Sequence, residues 1–160
     1  MRSLPGWRAL LADPRLFCAL GFGSGLAPKA PGTFGTLMAL PLFLILQPLP
    51  AWVYAGVVLA AFFLGIYLCG YAGRWLGVSD HGAIVWDEFV GLWIALFLVP
   101  QGWAWLVYGF LLFRLFDVLK PWPIDWADKQ VKGGLGVMLD DVLAGVMAWF
   151  VVQATAQVLA

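Results

Sequence analysis

The sequence predicts an all-α, multi-pass membrane protein with about five apolar segments, its charged loops and helix ends all on the cytoplasmic face. Composition is the first reason. Hydrophobic residues make up 63% of the 160 residues and charged residues 11%, against roughly 45–50% and about 25% in soluble domains. The mean hydropathy is +0.91. The distribution of charge is the second reason. Charged residues occur in 1–35, 74–88 and 114–141, and none occurs in 36–73, 89–113 or 142–160, blocks of 38, 25 and 19 residues. A helix needs about 20 apolar residues to cross the hydrocarbon layer.

Each block yields its elements in turn. The first is too long for one span and is broken by Gln47-Pro48-Leu49-Pro50, where neither proline donates a helical hydrogen bond. Thr36–Leu46 therefore leads in and Ala51–Gly73 leads back. The second block is split by Pro100-Gln101-Gly102 into halves too short to cross alone. To span, they must extend into the flanking charged blocks, as Ile84–Val99 and Trp103–Val118. Asp87, Glu88, Arg114 and Asp117 then lie on the helices, near one membrane face. Val142–Ala160 is the fifth segment, directly after Asp140-Asp141.

Five passes with the N-terminus inside put all nine Lys and Arg, Arg2 and Arg8 included, on the cytoplasmic side, as the positive-inside rule asks. Trp52, Trp103 and Trp105 fall near the outer turns and Trp7, Trp75, Trp86, Trp122 and Trp126 near the inner boundary, the places of the aromatic belts. Asp13-Pro14-Arg15 interrupts any apolar core too early for a cleavable signal peptide, so the N-terminus is read as retained. A net charge of zero supplies no field for nucleic acid. Cys18 and Cys69 form no zinc spacing or disulfide framework. Ala61-x-x-x-Gly65 and Gly73-x-x-x-Gly77 are small-residue faces that permit close helix packing, self-association included.

Chemistry-bearing residues gather in four stretches. Residues 21–36, GFGSGLAPKAPGTFGT, hold five glycines, Ser24, Lys29 and Thr33 before an apolar helix. Freed amides and a helix N-terminus make an anion cradle, with an interfacial packing loop as the alternative. The stretch matches neither a Walker loop nor a dinucleotide fingerprint. In HGAIVWDEFVG (81–91), Asp87 and Glu88 open an apolar helix. Dipole complementation accounts for acids there, though not for acids drawn towards lipid where serine would cap as well. His81 reads as structural or interfacial. In FRLFDVLKPWP (113–123), Arg114, Asp117 and Lys120 share one helix face, of which a simple ion pair would explain the first two. In GGLGVMLDDV (133–142), a glycine loop precedes Asp140 and Asp141, which stay jointly ionised most easily with a cation between them.

Three helix ends thus deliver five acids beside Lys29, Arg114 and Lys120. Oxygen-only ligands suit Mg²⁺, Mn²⁺ or Ca²⁺, and with the anion cradle they describe a metal-assisted phosphoryl site. Asp13, Asp80, Asp125, Asp128, Lys129 and Lys132 are read as solvated surface. Other phosphate chemistries fall to arithmetic. One histidine is too few for a histidine-nucleophile lipid phosphatase, Cys69-x4-Arg74 is one residue short of C-x5-R, and neither D-x-D nor D-G-x2-A-R occurs. The competing class is a non-enzymatic membrane protein that handles divalent cations or binds anionic lipid, but a cation carrier would need carboxylates at mid-membrane depth.

The stretches GFGSGLAPKAPGTFGT, HGAIVWDEFVGLW, FRLFDVLKPWPI and GGLGVMLDDVLAGV, in that order, resemble the phosphatidylglycerophosphatase A family over nearly the whole chain. The resemblance implies a single membrane-embedded lipid phosphatase domain over 1–160. It implies a Mg²⁺-dependent enzyme of the bacterial inner membrane that removes the terminal phosphate of phosphatidylglycerophosphate. Carried over residue by residue, the metal ligands are Asp87, Glu88, Asp117, Asp140 and Asp141. Glu88, Asp141, Arg114 and Lys120 are the catalytic candidates, with Glu88 or Asp141 as general base. Lys29, Thr33, Ser24 and Gly32 are the expected phosphate-binding positions.

Overall fold

A computed structural model describes residues 3–159; Arg2 and Ala160, named above, lie outside them. The described residues are helical, with no strand among them. Two short helices, α1 (Trp7–Ala12) and α2 (Pro14–Ala19), lead through a 3-10 segment (Gly21–Leu26) into α3 (Pro31–Leu46). Then follow α4 (Ala51–Leu76), α5 (Trp86–Ala95), α6 (Trp103–Leu119), α7 (Ile124–Gln130) and α8 (Gly133–Leu159). Of these, α4 and α8 are long and apolar enough to cross a membrane.

The short α5 is the centre of the molecule. All its residues except Ile94 are buried, enclosed by α3, α4, α6 and α8. Where α5 meets α8, glycine is required: a Cβ on Gly145 would collide with the carbonyl oxygen of Gly91. Two indole N–H groups tie α5 to its neighbours, Trp86 Nε1 donating to the Ala61 carbonyl at 3.0 Å and Trp93 Nε1 to that of Ala39 at 3.1 Å.

Several expectations are corrected here. The helix expected over Ile84–Val99 covers only Trp86–Ala95, about 15 Å long and too short to span alone. It stops early because its far end is held by side chains instead of by further helical turns. Tyr54 Oη donates to the Trp93 carbonyl at 2.7 Å, and the Phe97 carbonyl accepts from Trp149 Nε1 at 2.9 Å and Gln153 Nε2 at 3.0 Å. Backbone groups in an apolar surround need such partners. Removing one, as in Tyr54→Phe, leaves a buried carbonyl unsatisfied, with an expected cost of about 1–3 kcal/mol, checked by thermal unfolding in detergent.

The last helix starts at Gly133 instead of Val142, so its glycines are helical and Asp140 and Asp141 lie two turns inside. Those glycines are packing devices: a Cβ on Gly134 would meet the Ile66 carbonyl of α4. The small-residue faces likewise serve packing within the chain, Gly65 lying against Met138 and Trp86, and Gly73 against Ser79. Trp86 is core, 8% exposed, whereas Trp52, Trp103 and Trp122 are 78–80% exposed, as aromatic-belt residues would be.

The N-terminal helices are fastened to α4 by one polar cluster. Asp13 accepts from Arg15 and, at 2.6 Å, from Tyr71 Oη, while the Arg15 guanidinium lies over the Tyr71 ring. The Arg15 hydrogen bond, then that of Tyr71, hold the Asp13 carboxyl well below the usual range. Because the folded-state value is depressed, this contribution is full above about pH 4 and is lost as the pH falls further. Limited proteolysis should therefore release the N-terminal helices in acid before the bundle opens.

Candidate active site

The charged helix ends meet at one end of the bundle. There the first turn of α5 carries Asp87 and Glu88, and α8 brings Asp141 against them; their exposures are 8%, 8% and 3%. One carboxylate oxygen from each lies within 4.8 Å of the others. Asp87 Oδ1, Glu88 Oε2 and Asp141 Oδ2 have no hydrogen-bond partner among the described residues. Two unit charges at such a distance repel by about 3 kcal/mol at an effective dielectric near 20. Three buried carboxylates so placed, each with an unsatisfied oxygen, form an oxygen-only donor set that could hold a hard divalent cation.

Cationic groups border the trio. Arg114 Nη1 bonds Asp117 and lies 3.8 Å from Glu88 Oε1. Lys120 Nζ lies 2.7 Å from Asp140 Oδ2 and 3.0 Å from Asp128 Oδ1. Burial works against the Lys120 charge, but the bonds to Asp140 and Asp128 outweigh it and hold its pKa above the usual range. The expected five acids therefore divide into two roles. Asp87, Glu88 and Asp141 form the open trio, while Asp117 and Asp140 are paired with cations, both still close enough for their charges to act on Asp141. Asp140 Oδ1 also accepts from the Asp141 amide at 3.1 Å.

The glycine-rich stretch resolves into parts that reach the site and parts that do not. Gly32, in the first turn of α3, abuts it: a Cβ there would strike Glu88 Oε1 and lie 3.2 Å from both Arg114 Nη atoms. Thr33 follows in the same turn, half-buried, with its amide on the Ala30 carbonyl. Ser24 Oγ donates to the Gly21 carbonyl at 2.7 Å, a bond within the 3-10 segment. Lys29 is exposed. His81 Nδ1 accepts from the Ala83 amide at 3.1 Å, a local turn. Asp128, read from sequence as solvated surface, is a partner of Lys120; its spacing of eight residues from Lys120 crosses a turn and gave no signal. For Gly32→Ala we expect phosphate release to fall about 100-fold, the cost of displacing reacting groups by about 1 Å, with little change in melting. Equal activity would remove Gly32 from the site.

The phosphatidylglycerophosphatase A family model matches residues 17–156. The chain belongs to the phosphatidylglycerophosphatase A family. It is 46% identical over 142 residues to phosphatidylglycerophosphatase A of Escherichia coli strain K12, covering 88% of this chain and 83% of that protein. It is 45% identical over 146 residues to phosphatidylglycerophosphatase A of Haemophilus influenzae, covering 90% of each. A protein of Bacteroides thetaiotaomicron named "Putative phosphatidylinositol-3-phosphatase" is 41% identical over 140 residues, covering 82% of this chain and 87% of that protein. No solved structure matches the chain. Family membership decides between the two classes left open by composition: this phosphatidylglycerophosphatase A family member is a phosphatase acting on a phosphomonoester.

Proposed function

We propose that the chain hydrolyses the terminal phosphomonoester of phosphatidylglycerophosphate to give phosphatidylglycerol, with Mg²⁺ held by Asp87, Glu88 and Asp141. The observation that carries the metal is the trio of buried carboxylates, each with an oxygen that has no hydrogen-bond partner among the described residues. When bound, the ion would polarise a phosphate oxygen and lower the pKa of a coordinated water. The chain's own residues do the rest. Arg114 holds phosphate oxygens as charge develops on them, Lys120 binds the phosphate equally before and during reaction, and the first turn of α3 adds the Gly32 amide. Glu88, whose second oxygen faces Arg114, takes the proton from the attacking water. The new P–O bond forms as the bond to the glycerol oxygen breaks, and that oxygen leaves taking a proton from solvent water.

The same reading places the enzyme in the bacterial inner membrane with five apolar segments and the site facing the cytoplasm. In support, Arg74, Arg114 and Lys120 stand at the site end of α4 and α6, while the turns at 47–50 and 100–102 carry no charge. The short α5 enters from the site end, and residues 96–102 complete its crossing. Labelling of Gln101→Cys by a membrane-impermeant thiol reagent from outside would test this; protection of that cysteine in intact cells would reverse the orientation.

Phosphate release by the purified chain in detergent tests the reaction. Phosphatidylglycerophosphate, phosphatidylinositol 3-phosphate (the third relative's name makes it the natural competitor) and phosphatidic acid are supplied separately, with Mg²⁺ or EDTA. Mg²⁺-dependent release from the first alone is expected. Equal release from all three sinks the head-group assignment, and release undiminished by EDTA sinks the metal. No release, with metal still bound, returns the chain to cation handling or lipid binding.

A further inference from the structure

We propose that Asp128 is a positioning residue of this reaction, fixing the Lys120 ammonium where it can meet the substrate phosphate. The inference rests on the role given to Lys120 above. Lys120 Nζ is shared between two carboxylates from two helices, Asp128 Oδ1 of α7 at 3.0 Å and Asp140 Oδ2 of α8 at 2.7 Å. A lysine side chain carries about 2 kcal/mol of rotamer entropy, and one anchor leaves much of it. With Asp140 alone, the ammonium would collapse onto α8 and be spent neutralising an acid beside the trio. The second carboxylate draws it off and fixes it between the two helices.

Two local features that oppose simple stability agree with this. Lys120 follows the last turn of α6 in the left-handed conformation, φ 43°, where glycine is the usual residue and a side chain costs about 1–2 kcal/mol. Asp128 lies in the last turn of α7, where an acid opposes the helix dipole. The platform is nonetheless firm. Ile124 and Ala127 dock α7 at 0% exposure, and the Asp128 carbonyl accepts from Lys132 Nζ at 2.8 Å. The other pair on α7, Lys129 with Asp125, is 65% and 50% exposed and serves as the internal control.

The test uses the full chain in detergent, with Asp128→Asn, Asp128→Glu and Asp125→Asn. Kinetics on phosphatidylglycerophosphate are combined with acetylation of Lys120 by acetic anhydride, read by mass spectrometry against Lys129. A group that binds phosphate equally before and during reaction affects KM alone, so Asp128→Asn should raise KM about tenfold with kcat within about twofold. Asp128→Glu should recover part of the loss and Asp125→Asn should change nothing. Lys120 should acetylate several times faster in Asp128→Asn. An unchanged KM overturns the proposal, and so does a fall in kcat and melting temperature at constant KM, which is what a merely structural residue would give. If the parent chain releases no phosphate, the functional reading fails by itself; Lys120 reactivity unchanged in Asp128→Asn then overturns the positioning role separately.

Discussion

Asp141→Asn is expected to release no measurable phosphate and yet to melt higher than the parent chain in metal-free buffer. The reason for both is the same. Asp141 is 3% exposed, its Oδ2 has no hydrogen-bond partner among the described residues, and one of its carboxylate oxygens lies within 4.8 Å of oxygens from two other acids. Without a cation this is a buried, unsatisfied carboxyl group crowded by other acids, and removing it relieves a cost of about 1 kcal/mol or more. That corresponds to a rise of about 2–4 °C for a chain of this size. With a cation held as proposed, this carboxylate would be a ligand, and its loss should lower kcat by about 1000-fold or more, the scale of removing a preorganised electrostatic group. Added Mg²⁺ should raise the melting temperature of the parent chain and leave Asp141→Asn nearly unmoved. Phosphate release and thermal unfolding, each with and without Mg²⁺, give the answer. Equal stabilisation of both proteins by Mg²⁺ would remove Asp141 from the metal site.

Gly145→Ala is expected to destabilise the bundle and to disable the site. Its Cβ would enter the carbonyl oxygen of Gly91, with the rest of that peptide about 3.1–3.2 Å away. The obstacle is backbone, so no side-chain rotation relieves it, and α5 must move off α8. Overpacking of this kind costs about 1–3 kcal/mol. The displacement also separates Asp87 and Glu88 from Asp141, so activity should fall further than stability. Gly56→Ala is the comparison. Nothing lies within 4 Å of a Cβ there, and inside α4 alanine is favoured over glycine by about 0.5–1 kcal/mol. Melting should rise in Gly56→Ala with phosphate release unchanged, whereas both should fall in Gly145→Ala. If Gly145→Ala matched Gly56→Ala, the close approach of α5 and α8 would be wrong.

How far the site was legible depended on what kind of constraint each residue obeys. Asp87, Glu88 and Asp141 stand out in sequence because acids in an apolar run are costly wherever the run ends up. Gly32 was among the expected phosphate-binding positions; what the fold adds is the approach of Glu88 and Arg114 from two other helices. Asp128 gave no signal, since its partner is reached through a turn and a second helix. Ser24 looked available for chemistry because nothing local shows that its bond is used within its own turn, whereas His81, read as structural or interfacial, does sit in a local turn.

The sequence by itself determined the helical class, the family, the turns at 47–50 and 100–102, and the four stretches from which the site is built. These follow from composition, proline and charge, which act through the chain's own neighbours and the solvent around it. Tertiary structure decided that α5 is a ten-residue helix, that α8 runs from Gly133 with its acids two turns inside, and that five acids divide into an open trio and two ion-paired members. The physical reason is that helix ends and carboxylate states are set by partners distant in sequence. Tyr54, Trp149 and Gln153 accept the duty of ending α5, and Arg114 and Lys120 choose which acids are neutralised.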